Sequence, residues 1–171
     1  MGITELKRAL GQFDKKQLIN IIATLYKQHK PVKEYLNFFI SPDEKKLHAK
    51  YREKVSEAFF PIVGYDWSLK AGKKAISDFK KFSPSPELIA DLMLFYTETG
   101  IEFTNKYGGV DEGFYYSLTS TYNASLKLLK KENLLPKFAA RAYKAVTDTE
   151  GIGWYFHDNL ADLYYEYYPE E

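Results

Sequence analysis

The sequence predicts an all-α protein: stacked antiparallel helical hairpins, either an α-solenoid of HEAT-like type or an irregular bundle, with about eight or nine helices. Three observations carry this. Apolar residues recur at i, i+3, i+4 and i+7 along the chain, while strand-like alternation is nearly absent. Ser, Asp and Pro start signals precede several of these runs. The stretches between runs are short, which sets consecutive helices antiparallel.

In chain order, helices are expected over 3–11, 14–28, 31–40, 43–60, 68–82, 86–106, 112–131, 136–148 and 153–168. The second opens on Asp14 and Gln17, a capping box in which the carboxylate takes an orphan amide and Gln17 reaches back. Leu18, Ile21, Ile22 and Leu25 then share one face, and Val32, Tyr35, Leu36 and Phe39 repeat that spacing in the third. Ser41-Pro42-Asp43-Glu44 opens the fourth, with Pro42 expected at the first helical position, where its missing N–H costs nothing. The fifth follows Pro61–Trp67, the longest irregular stretch. Ser85-Pro86-Glu87 opens the sixth by the same logic as the fourth, and Gly100 and Gly108-Gly109 are expected to stop or kink it. Phe114, Leu118, Tyr122, Leu126 and Leu129 mark the seventh, and Gly151 separates the eighth from the last.

Because Pro61–Trp67 is too apolar for a free linker, the chain reads as a single all-α domain, 1–171. It has two lobes, a basic one over 1–60 and an acidic one over 68–171, joined by an ordered loop at 61–67. Lys80-Lys81, Pro86 and Gly100 recur about fifty residues later as Lys130-Lys131, Pro136 and Gly151, as two copies of a helical hairpin would. At 171 residues the chain can bury roughly 70% of its unfolded surface, enough for one substantial core.

The absence of cysteine removes disulfides, thiolate catalysis and zinc fingers, and fits a reducing compartment. No apolar stretch approaches membrane-spanning length and no apolar leader stands at the start, so the expected location is cytoplasmic, without a membrane partner. Residues 1–84 carry 17 Lys+Arg against 9 Asp+Glu, and residues 85–171 carry 7 against 14. That asymmetry allows a basic face for nucleic acid or anionic lipid, internal attraction between the lobes, or head-to-tail association of copies. Against nucleic acid, only Arg8, Arg52 and Arg141 are arginines, and the lysines come in pairs that flank apolar stripes as a solvated face.

Phosphate-loop, dinucleotide, nucleophile-elbow and metalloprotease motifs are absent from the sequence. His29 and His48 read as surface residues. His157 differs, standing in Gly151-Ile152-Gly153-Trp154-Tyr155-Phe156-His157-Asp158. Phe156, Leu160, Leu163, Tyr164 and Tyr167 form the core stripe of this helix, and Trp154, Ala161 and Tyr165 form a second, roughly opposite aromatic face. A solvated surface does not favour such a face, so a cover is expected: first a neighbouring helix, then a second copy of the chain, and last a small molecule. His157 with Asp158 and Asp162 is the place for a base-and-carboxylate cluster or a metal, with Asp148, Glu150 or Tyr122 as groups that would have to converge on it. The i+3 and i+4 positions from His157 are Leu160 and Ala161, which argues against a metal. The tyrosines of 164–168 are expected to pin the last helix to the body.

Pro31–Leu36, Ala75–Pro86 and Gly151–Trp154 with His157-Asp158 together resemble an uncharacterised, all-helical bacterial family of unknown function, found chiefly in Bacteroidetes. The resemblance implies a stand-alone bacterial cytoplasmic protein and carries no activity or catalytic residue. The reading is therefore a non-catalytic protein-interaction or scaffold module with no cofactor and no metal. Its binding surface is the aromatic and acidic face of the last helix, with Trp154, His157, Asp158, Asp162 and Tyr165, and its partner is another protein or a second copy. Two alternatives stand beside it: nucleic-acid binding by the basic lobe, and an enzyme or metal protein centred on His157 with Asp158 and Asp162.

Overall fold

The computed structural model describes residues 1–64 and 66–169. Among them are nine helices and no strand: α1 (Ile3–Leu10), α2 (Lys15–Gln28), α3 (Lys30–Ile40), α4 (Glu44–Phe59), α5 (Leu69–Lys80), α6 (Pro86–Tyr107), α7 (Glu112–Lys131), α8 (Leu135–Thr147) and α9 (Phe156–Tyr167). None of the helices is long and apolar enough to cross a membrane, among the described residues.

The chain forms two compact units, Met1–Asp43 and Glu44–Glu171. Of the loop expected between two lobes at 61–67, the described residues 61–64 and 66–67 lie inside the second unit, where α4 packs on α5 and α6; Tyr65 lies outside the described residues.

In the first unit, α2 opens with the expected capping box: Asp14 Oδ1 accepts from the Gln17 amide at 2.7 Å, and the Asp14 amide donates to Gln17 Oε1 at 2.9 Å. Helices α2 and α3 pack together, and the Tyr26 hydroxyl donates to Asn37 Oδ1 at 2.9 Å. None of these 43 residues is buried.

The second unit holds the core. Its α6 is the central rod, packed by α4, α5, α7 and α8, with Leu92, Leu94, Tyr96, Ile101 and Phe103 buried on it. Two glycines allow close approach. A Cβ on Gly100 would lie 2.4 Å from Leu118 Cδ2 on α7, and one on Gly72 would lie 2.7 Å from Tyr96 Cε2. Gly100 therefore neither stops nor kinks α6; it lets α7 press onto its middle.

The proposed repeat fails at this position. Lys80 and Lys131 end helices and Pro86 and Pro136 begin them, but Gly100 is buried mid-helix whereas Gly151 is an exposed turn residue. Pro42 also departs from expectation. It precedes α4, which begins at Glu44, and Ser41 caps the end of α3. Pro86 does begin α6, and Glu44 Oε1 accepts from the Ser85 amide at 2.9 Å, tying the starts of α4 and α6.

Candidate functional site

The final helix is shorter than its pattern. Helix α8 ends at Thr147, and α9 begins only at Phe156 because Trp154 and Tyr155 both adopt left-handed backbone, with φ of 61° and 52°. Two consecutive bulky residues in that region cannot continue a right-handed helix, and each stores strain on the order of 1–2 kcal/mol. Trp154 is thus a turn residue, and placing it on a face of the last helix is corrected.

The predicted core stripe is seen, with Phe156, Leu160 and Tyr167 buried and Leu163 and Tyr164 half-buried. On the opposite side Trp154 is 56% exposed and Tyr165 43%, while Ala161 between them is half-buried. Asp158 and Asp162 are exposed one turn apart on α9. The tyrosines do pin the helix. The Tyr167 hydroxyl donates to Asn123 Oδ1 at 3.2 Å and that of Tyr168 to the Leu135 carbonyl at 3.0 Å, while Tyr164 stacks on Tyr168 and packs on Tyr143.

His157 turns back onto the end of α8. Its Nδ1 lies 3.0 Å from Thr149 Oγ1 and 3.2 Å from the Val146 carbonyl, and the Thr149 hydroxyl donates to that same carbonyl at 2.5 Å. A carbonyl only accepts, so the arrangement assigns the ring proton to Nδ1. The groups that chemistry would need do not converge here. The Asp148 carboxylate is taken by Lys144, and the Tyr122 hydroxyl donates to the Ala142 carbonyl at 3.0 Å. Among the described residues no cluster of three or more His, Asp or Glu side chains is placed to hold a metal ion. His157 is a clamp on the strained turn.

The densest polar cluster lies elsewhere, between α4, α6 and α8. Arg141 bridges Glu98 and Asp91: Nε donates to Glu98 Oε1 at 2.6 Å, Nη2 to Glu98 Oε2 at 2.9 Å, and Nη1 to Asp91 Oδ1. Arg52 Nη1 donates to Asp91 Oδ2 at 2.9 Å, and its guanidinium lies 3.7 Å over the Phe95 ring. His48, expected at the surface, is only 13% exposed in its side chain, with Nε2 2.7 Å from Asp91 Oδ2. That approach is close but lacks an aligned N–H. Burial alone would raise the Asp91 carboxyl, but His48 and Arg141 outweigh it and hold that carboxyl well below the ordinary range. Burial likewise opposes the Arg141 charge, and Glu98 and Asp91 overcome it.

A cleft of about 570 Å³ opens beside this cluster, with Arg52, Phe95, Glu98, Glu102, Lys144 and Asp148 in its lining. Most of its charges are already paired, Arg52 on Asp91, Lys144 on Asp148 and Glu98 on Arg141, so the cluster works as a structural clasp of three helices.

The model of a family of unknown function, DUF6155, matches residues 1–167. The chain belongs to that family. No curated protein and no solved structure matches it. The family match spans both compact units, so the coreless hairpin of α1–α3 is part of the family's common sequence and not an appendage.

Sequence reasoning missed the clasp because its members are scattered over three helices. A signal was present: two of only three arginines, Arg52 and Arg141, sit on helices whose other cations are mostly lysines. Planar guanidinium is the side chain suited to bidentate pairing with buried carboxylates.

Proposed function

We propose that the chain is a non-catalytic scaffold of the bacterial cytoplasm that self-associates through its first unit. One observation carries this reading. Among the described residues, ten of the eighteen exposed large apolar side chains lie in residues 1–43, including Ile3, Ile19, Ile22, Phe39 and Ile40. With about 200 Å² for such a side chain fully bare, their exposed fractions amount to on the order of 1,000 Å² of apolar surface. A standard interface takes roughly 800 Å² per partner. A piece of this length without disulfide or metal ordinarily needs association to hold its shape. The occupant we assign is a second copy, whose identical unit offers the same apolar helix faces in a closed pair.

Trp154 and Tyr165, with Asp158 and Asp162 alongside and His157 fixing the turn, form a second surface for a protein partner. The nucleic-acid reading has less support, since the basic lobe over 1–60 has only two arginines, Arg8 and Arg52, and Arg52 is paired with Asp91.

Sedimentation equilibrium of the full chain tests the main reading. A dimer is expected across the micromolar range, and I22K/F39K is expected to be monomeric, with far-ultraviolet helical signal reduced by no more than the share of α1–α3. A wild-type monomer throughout that range overturns it.

A further inference from the structure

Where α4 ends and α6 ends, the second unit gathers aromatic rings around open space. Phe59 and Phe60 close α4, Trp67 precedes α5, and Phe103 and Tyr107 lie in the last turns of α6. The rings are mutually packed: Trp67 to Phe103 at 5.4 Å between centroids, Phe60 to Phe103 at 5.8 Å, Phe103 to Tyr107 at 5.1 Å and Phe60 to Tyr107 at 6.1 Å. Between them is a cleft of about 350 Å³, within the range that holds small ligands.

Among the described residues its lining contains a single charged side chain, Lys106. The ammonium is held at the rim, 5.4 Å from the Phe60 ring centroid and 5.3 Å from that of Tyr107. Among the described residues no carboxylate pairs with it, and its contacts are the two rings. Lys106 sits in the last turn of α6, where the negative end of that helix stabilises its charge. An aromatic floor favours a flat apolar body, and one unpaired ammonium at its edge favours one negative charge.

We propose that this cleft binds a small aromatic carboxylate, its ring laid against Phe60, Trp67 and Tyr107 and its carboxylate on Lys106. The assignment is independent of self-association, because the cleft belongs to the second unit.

The test uses the full chain carrying Trp154→Phe, which leaves Trp67 as its one tryptophan and as a reporter inside the cleft. Phenylacetate is the probe, phenylacetamide its uncharged counterpart and benzyltrimethylammonium its cationic one. A saturable change in Trp67 emission is expected with phenylacetate in the millimolar range. Phenylacetamide is expected to bind about tenfold more weakly, and benzyltrimethylammonium not measurably. Lys106→Met is expected to cost about the same tenfold for phenylacetate and nothing for phenylacetamide, with Lys106→Arg retaining binding. No saturable change, equal affinity for acid and amide, tighter binding of the cation, or indifference to Lys106→Met would each overturn the proposal.

Discussion

Glu98 and Arg141 meet through two parallel hydrogen bonds, so that α6 and α8 are joined by matched planar groups and not by a point charge. Lysine cannot reproduce that geometry. Removing the guanidinium leaves Asp91 and Glu98 partly buried and short of a partner, and costs of this kind run to about 2–4 kcal/mol once partial exposure is allowed for. Arg141→Met should lower the unfolding free energy by that amount in urea denaturation, and Arg141→Lys should recover less than half of the loss.

Acid should act through the same cluster. The Asp91 carboxyl is depressed in the folded chain, so the stability it contributes is complete above its unfolded value of roughly 3.9 and is lost as pH falls below it. Unfolding free energy should decline below about pH 4 in the wild type, and the decline should be shallower in Asp91→Asn, measured from denaturant midpoints across that range.

At high pH the tyrosines govern. Burial pushes Tyr96 up to about 12, against the opposing hydrogen bond to Ser117, and burial with the neighbouring Tyr164 pushes Tyr168 up to about 12. Groups raised in the folded state contribute stability that is whole below the unfolded value near 10 and disappears as pH climbs toward the folded one. Tyrosinate absorbance should therefore show a late-ionising subset between about pH 10 and 12, merging with loss of helical signal. Tyr168→Phe should remove part of that subset.

Packing at Gly100 allows a third class of test. An added methyl meets the buried Leu118 side chain, and overpacking costs about 1–3 kcal/mol against a helix-propensity gain of up to about 1. Gly100→Ala should be net destabilising. Pairing it with Leu118→Ala should recover part of what the two single changes lose, a coupling that a double-mutant thermal-melt cycle would read.

The turn before α9 should yield a stabilising change. Tyr155 is 80% exposed and left-handed, so Tyr155→Gly gives up little burial while releasing strain. A gain of up to about 1 kcal/mol is expected in chemical denaturation.

The helical class and most helix positions were legible because the three-and-four spacing of apolar residues is a local property. The capping box at Asp14 and the Pro86 start could be read the same way. Boundaries set by backbone conformation could not, since nothing in Gly153-Trp154-Tyr155 announces two left-handed residues carrying large rings. Gly100 looked like a terminator because glycine means either a stop or a close contact, and only Leu118 across the helix pair decides between them. His48 was misplaced for a related reason: lysines surround it in sequence, while its partners Asp91 and Phe79 come from other helices. The last helix showed its two aromatic sides, but how much of each stays bare depends on the three-dimensional packing.

Because α6 is wrapped by two helices made before it and two made after it, a growing polypeptide leaves the ribosome with this strongly apolar rod only half clothed until α7 and α8 emerge. Most of that wrapping comes from near neighbours in sequence, which shortens the vulnerable interval. Once sealed, the amides in the middle of α6 should be the slowest in the chain to trade hydrogen for deuterium.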